Sequence, residues 1–138
     1  DALLRAVDED TDAFNAIMAA FGLPNTTPEE KAARKTAIQA ATRGAIEVPF
    51  KVMQLSLESL PLIRQMADTG NPNSASDAGV GALCARAAVY GSFLNVKTNA
   101  SGLDDKEYAG KVVSEGEKMI AEADRMEKEI IAIVYSKM

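Results

Sequence analysis

The sequence predicts an all-α protein, a bundle of about five helices folded as a single domain over residues 1–138. Three observations carry that expectation. Apolar residues recur at the three-and-four spacing of a helix face in segment after segment. The breaks between segments hold helix stop and start signals rather than hairpin turns. No stretch alternates apolar and polar residues as a half-buried strand would.

The first helix runs from Asp1 to Phe21 and stops at Gly22, with Pro24 blocking continuation. Leu3, Val7, Phe14, Ile17 and Phe21 form an apolar stripe that faces a core. The position missing from that series is 10, and it holds aspartate. Within VDEDTDAF, residues 7–14, the helical advance of about 100° per residue turns Asp8, Glu9 and Asp12 to the other side and leaves Asp10 on the stripe. A carboxylate there has to be paired, hydrogen-bonded or protonated. Such a setting suits a carboxyl group that gives and takes protons near neutral pH. Register alone leaves a structural role equally open, because ion-pair and hydrogen-bond networks also draw carboxylates inward.

The second helix starts at TTPEE. Thr27 as N-cap, Pro28 at the first helical position and Glu30 three residues after the cap form a capping box. The alanine-rich stretch that follows suits close helix–helix approach. Ile46, Phe50, Met53, Leu57 and Leu60 keep the helical spacing across Pro49, so a helix kinked there is as open a reading as a break. Pro61 begins a new turn or adds a second kink. The segment ends at Thr69–Gly70.

GNPNSAS, residues 70–76, is the most turn-rich stretch, and Ser74 or Ser76 can cap the next helix. That helix, from Asp77 through Asn99, carries Arg86 and Lys97 as its only basic residues and is predicted to be largely buried. Asp77, Gly81, Cys84, Ala88, Ser92, Asn95 and Asn99 share one of its faces. Small residues between polar ends leave room for a flat polar heterocycle, with Asp and Asn supplying acceptors and donors. The same small residues also let another helix come close, with Asp77 favoured at the N-terminus by the helix dipole. After SGLDDKE, a last amphipathic helix reaches Met138. Its Val112, Met119, Met126 and Ile133 recur every seven residues with Ala123 and Ile130 beside them, a pattern that seals the bundle or packs on a second subunit.

Composition narrows the chemistry. A net charge of −5 with scattered basic residues argues against a nucleic-acid partner. No apolar run approaches the roughly 20 residues that span a bilayer, so no membrane role is expected. The single cysteine, Cys84, allows no internal disulfide and fits a reducing, cytoplasmic setting. There is no histidine, so histidine bases and histidine-ligated metals are excluded. Acid–base chemistry falls to carboxylates or lysines, and no metal is expected.

Three blocks, VDEDTDAF, LPNTTPEEKAARKTAIQAATRGAIEVP and GNPNSASDAGVGALCARAAVYGSFLNVKTN, together resemble the cyclodeaminase half of formimidoyltransferase-cyclodeaminase and the stand-alone methenyltetrahydrofolate cyclohydrolases. The resemblance covers nearly the whole chain. It implies an all-helical domain that forms a homodimer or higher homo-oligomer and takes a tetrahydrofolate derivative as its substrate. The implied reaction closes 5-formimidoyltetrahydrofolate to 5,10-methenyltetrahydrofolate with release of ammonia, or interconverts the methenyl and 10-formyl forms with water. The family's assigned proton carrier, the second aspartate of its D-E-D element, falls on Asp10. Asp77, Asn95 and Asn99 are then candidates to bind the pterin edge or the one-carbon group, and Arg34 to meet the glutamate carboxylates. The family's glycine-rich opening element is not in this chain, which predicts that residues 1–138 are the later part of a longer domain. The rival reading is a non-catalytic helical dimerisation module.

Overall fold

Capping chemistry sets where the longest helix begins. The Glu30 N–H donates to Thr27 Oγ1 at 3.2 Å, and the Thr27 and Thr26 N–H groups donate to Glu30 Oε2 at 3.0 and 2.8 Å. Those two amides hold the Glu30 carboxyl below the usual range for a glutamate. The first N–H groups of a helix lack intrahelical partners; here the box satisfies those of Thr27 and Glu30, and Pro28 has none to satisfy. Thr27→Ala removes one arm and is expected to cost about 1 kcal/mol, roughly 4 °C in melting temperature for a chain of this size, readable by thermal denaturation.

The computed structural model, which describes all 138 residues, has four α-helices and one short 3-10 turn. They are α1 (Ala2–Phe21), α2 (Pro28–Thr69), the turn Pro72–Ser74, α3 (Ala75–Ser101) and α4 (Lys106–Ser136). The all-α class is as predicted, with one helix fewer than the count of about five. The difference lies in α2, which continues for 42 residues with both Pro49 and Pro61 inside it. A proline removes one ladder bond and crowds the carbonyl four residues back, and packing on both sides of each proline holds the helix together. The 3-10 turn follows from Asn71, whose Oδ1 accepts from the Asn73 N–H at 3.0 Å. Ser74 stands at the N-cap of α3 without making a cap hydrogen bond.

α2 is the central element and packs against each of the other three helices. Ile46, Met53 and Leu60 on α2, Val89 and Val96 on α3, and Ile130 on α4 are the largest fully buried side chains. The seven-residue series of α4 goes into this core, with Val112 and Met126 buried and Met119 and Ile133 packed against them. Of the two roles open to that pattern, α4 here seals its own bundle.

Helix α1 departs from expectation. It buries Ala6 and Ala20 and half-buries Ala2, Glu9, Ala13 and Ile17. Apart from Ile17, the larger stripe predicted to face the core is exposed, Val7 by 63% and Phe14 by 60%. The seated stripe lies one position before the predicted one, so alanines meet α2 and allow close approach. Lys51 Nζ, 2.9 Å from Glu9 Oε2, pins α1 to α2 on that side. α3 departs similarly: Val80, Leu83 and Leu94 are exposed, so it is charge-poor without being enclosed.

α3 and α4 are also tied by polar groups. The Tyr90 hydroxyl donates to Asp124 Oδ2 at 2.7 Å and Arg86 Nε to Asp124 Oδ1 at 2.5 Å. The Tyr90 hydroxyl first, then the Arg86 guanidinium, hold the Asp124 carboxyl below its usual value. A carboxylate depressed in the folded state stabilises fully above its unfolded value of roughly 3.9. That stability disappears as pH falls through the lower folded value. Asp124→Asn is therefore expected to flatten part of the acid limb of a stability–pH profile below about pH 4, measured by denaturant midpoints. An unchanged limb would mean that the network carries no such linkage.

Candidate active site

Between α1 and α3, over the surface of α2, lies a cleft of about 140 Å³ lined by Asp10, Ala13, Phe14 and Ile17 of α1, Ala45 of α2, and Asn95 and Asn99 of α3. Asp10 and Asn99 are far apart in sequence, so only the packing of three helices brings them together. Three of the residues singled out from sequence, Asp10, Asn95 and Asn99, meet here.

Asp10 is exposed to this cleft rather than enclosed in a core, which corrects the desolvated setting its register predicts. The physical reason is the rotation of α1 described above, which turns the stripe from the bundle interior to the cleft and solvent. No basic side chain pairs with it, and Lys51 of α2 is taken by Glu9. The Asp10 carboxylate is the one ionisable group lining the cleft.

The two asparagines are placed differently. Asn99 is half-buried, and its Nδ2 donates to the Ala45 carbonyl at 2.8 Å. Asn95 is exposed, and its Nδ2 donates to Gly91 O one turn back at 3.2 Å. Both are tied through nitrogen, which leaves both Oδ1 atoms as free acceptors. The cleft thus offers a carboxylate and two amide oxygens beside the apolar faces of Phe14 and Ile17. It can accept hydrogen bonds from N–H groups of a flat heterocycle and accept a proton at Asp10.

Asp77 and Arg34 lie elsewhere. Asp77 is in the first turn of α3, eighteen positions from Asn95 and so roughly 27 Å away along the helix. Sharing a face of a long helix is not sharing a place on it. Asp77 instead edges a groove of about 340 Å³ with Leu62, Met66, Asn71 and Ser74. Gly81 on the same face sits close to Ile63 of α2, as the close-approach reading of the small residues expects. Arg34 lies at the α1–α2 turn, where its Nη2 donates to Phe21 O at 2.7 Å and closes the last turn of α1. It shares a groove of about 330 Å³ with Asn25, Lys31 and Lys35. Lys35 is paired with Asp104 at 2.8 Å. No group of three or more cysteine, aspartate or glutamate side chains is placed to hold a metal ion.

Sequence reasoning missed the cleft's walls. Phe14 and Ile17 had been assigned to a core face, and Ala45 to no role. The signal that could have found Ala45 is Pro49, since an intrahelical proline leaves the carbonyl four residues back without its usual donor.

Residues 1–118 match the family model described as formiminotransferase-cyclodeaminase. The chain is 42% identical over 136 residues to a methenyltetrahydrofolate cyclohydrolase of Methylorubrum extorquens, an alignment covering 99% of this chain and 65% of that protein. It is 31% identical over 137 residues to the formimidoyltransferase-cyclodeaminase of Gallus gallus, covering 99% of this chain and 25% of that protein. Identity to the Rattus norvegicus formimidoyltransferase-cyclodeaminase is 32% over 121 residues, covering 88% and 22%. The chain therefore spans just under two thirds of the first relative's length and about a quarter of the others'.

Proposed function

The chain belongs to the formiminotransferase-cyclodeaminase family, and from that premise we propose that its cleft acts on a tetrahydrofolate carrying a one-carbon unit on N5 or bridging N5 and N10. The observation that supports this reading is the convergence of Asp10, Asn95 and Asn99 on one small cleft. Asp10 is the proton carrier. The amide oxygens of Asn95 and Asn99 accept from the N–H edge of the pterin, and Phe14 and Ile17 flank the ring.

The higher identity to the cyclohydrolase, 42% against 31 and 32%, puts hydrolysis of the methenyl bridge first. Water adds to the methenyl carbon, and the Asp10 carboxylate takes the water's proton. The carbon–N5 bond then breaks as the added hydroxyl loses its remaining proton to solvent and becomes the formyl C=O, N5 receives the proton held by Asp10, and 10-formyltetrahydrofolate leaves. In the cyclodeaminase reaction, N10 attacks the carbon of the protonated formimidoyl group and passes its proton to Asp10. Asp10 returns it to the departing nitrogen, which leaves as ammonia. Both reactions need one carboxylate that carries a proton from the attacking group, water or N10, to the departing nitrogen, and neither needs a nucleophilic side chain. Arg34, together with Lys31 in the same groove, meets the glutamate carboxylates in this reading. Phe21 ends α1 roughly 16 Å along the helix from Asp10. A second copy of the chain completes the assembly, and the compartment is the cytoplasm.

The test is spectrophotometric and uses the full-length protein. Loss of methenyl absorbance from 5,10-methenyltetrahydrofolate supports the hydrolase. Gain of that absorbance from 5-formimidoyltetrahydrofolate, with ammonia release, supports the cyclodeaminase. Turnover of neither folate sinks the enzymatic reading and leaves a helical dimerisation module.

A further inference from the structure

We propose that Pro49 is a positioning residue for this cleft: its missing N–H leaves the Ala45 carbonyl to the Asn99 amide, and that bond fixes Asn99 with Oδ1 free to accept from a ligand. A residue at 49 with an N–H would bond the carbonyl of residue 45 in the ordinary helical ladder. Proline has no N–H, and its ring crowds that carbonyl. Pro49 is buried, so the freed oxygen needs a donor from the protein, and Asn99 Nδ2 supplies it at 2.8 Å.

Pro61 provides an internal comparison. It is exposed, and no side chain donates to the Leu57 carbonyl that it frees. Asn99 is thus not a routine repair of a proline break. The pairing also selects one of the two orientations of a carboxamide, because the opposite one would set two oxygens against each other. Oδ1 is thereby presented to the cleft as an acceptor, which favours a ligand bearing an N–H there.

The inference deepens the folate reading and rests on it for its kinetic part. Pro49→Ala in the full-length protein restores the ladder donor and releases Asn99. Melting temperature is expected to hold or rise, because alanine is the better helix former. KM for the folate is expected to rise about fivefold, the size of one ordinary hydrogen bond, with kcat changed much less. Added to Asn99→Ala, Pro49→Ala should raise KM no further, since both remove one interaction. A further rise in that double variant would overturn the positioning role.

An activity-independent readout is the Asn99 side-chain amide in NMR hydrogen exchange. Its protons should exchange slowly in the wild type and rapidly in Pro49→Ala. Rapid exchange already in the wild type, or protection unchanged in the variant, defeats the proposal even if the protein turns over folate. Should Pro49→Ala not fold, the wild-type exchange measurement alone decides. Protection with no folate turnover would leave the positioning bond standing and remove the folate reading.

Discussion

Asp10→Asn in the full-length protein is expected to lower kcat by about 10²- to 10⁴-fold, the usual contribution of a positioned general acid–base, while KM stays within about threefold. The separation follows from the site. Asparagine keeps the shape and the hydrogen-bonding edge but cannot take a proton from water or from N10. Asp10 is exposed and makes no ion pair, so its replacement changes stability by less than about 0.5 kcal/mol. Asp8→Asn and Asp12→Asn are the matched controls. Both lie two positions away in the same acidic run but outside the cleft, and both should keep wild-type kcat. An Asp10→Asn variant that keeps kcat within tenfold assigns the proton to another group. Equal losses from all three would mean that the charge of the run matters, not the position of one carboxylate.

The largest structural effect is expected from Gly116→Val. A Cβ at position 116 would sit 2.6 Å from both Cδ2 and Cε2 of the Phe93 ring and 3.4 Å from Cε of Met53. Met53 is fully buried and Phe93 nearly so. A buried aromatic ring cannot swing away as a long flexible chain could, so α3 and α4 must move apart or Phe93 must leave its rotamer. Overpacking of this kind costs about 3 kcal/mol at the upper end of its ordinary range, far more than the few tenths that valine gains over glycine in helix propensity. The melting temperature should fall by roughly 10 °C. Gly110→Ala is the control: nothing lies within 4 Å of a Cβ there, and alanine should be neutral or stabilising. A Gly116→Val protein as stable as wild type would mean that the α3–α4 contact is looser than the packed ring implies.

How far the sequence could be read depends on which interactions are local. The capping box at Thr27 and Glu30, the stop after Phe21 and the amphipathic stripe of α4 are set by residues within one or two turns of each other. They appear in the structure where the pattern puts them. The proline at 49 was legible as a local disturbance, but whether the helix survives it depends on neighbours far away in sequence. The same holds for Asp77 and Asn95. Register put them on one face, and only the length of α3 shows that they belong to opposite ends.

The amino-acid sequence by itself determined the all-α class, the helix starts and stops, the absence of histidine chemistry and the isolation of Asp10 from its acidic neighbours. Each follows from composition, or from a periodicity that every helix must obey. The tertiary structure alone decided the rotation of α1, which seats small alanines on α2 and turns Asp10 and Phe14 toward a cleft instead of a core. It alone decided that Asn99 would cross to the carbonyl of Ala45. The physical reason is that periodicity tells which residues share a face, while contact between small side chains determines what that face meets.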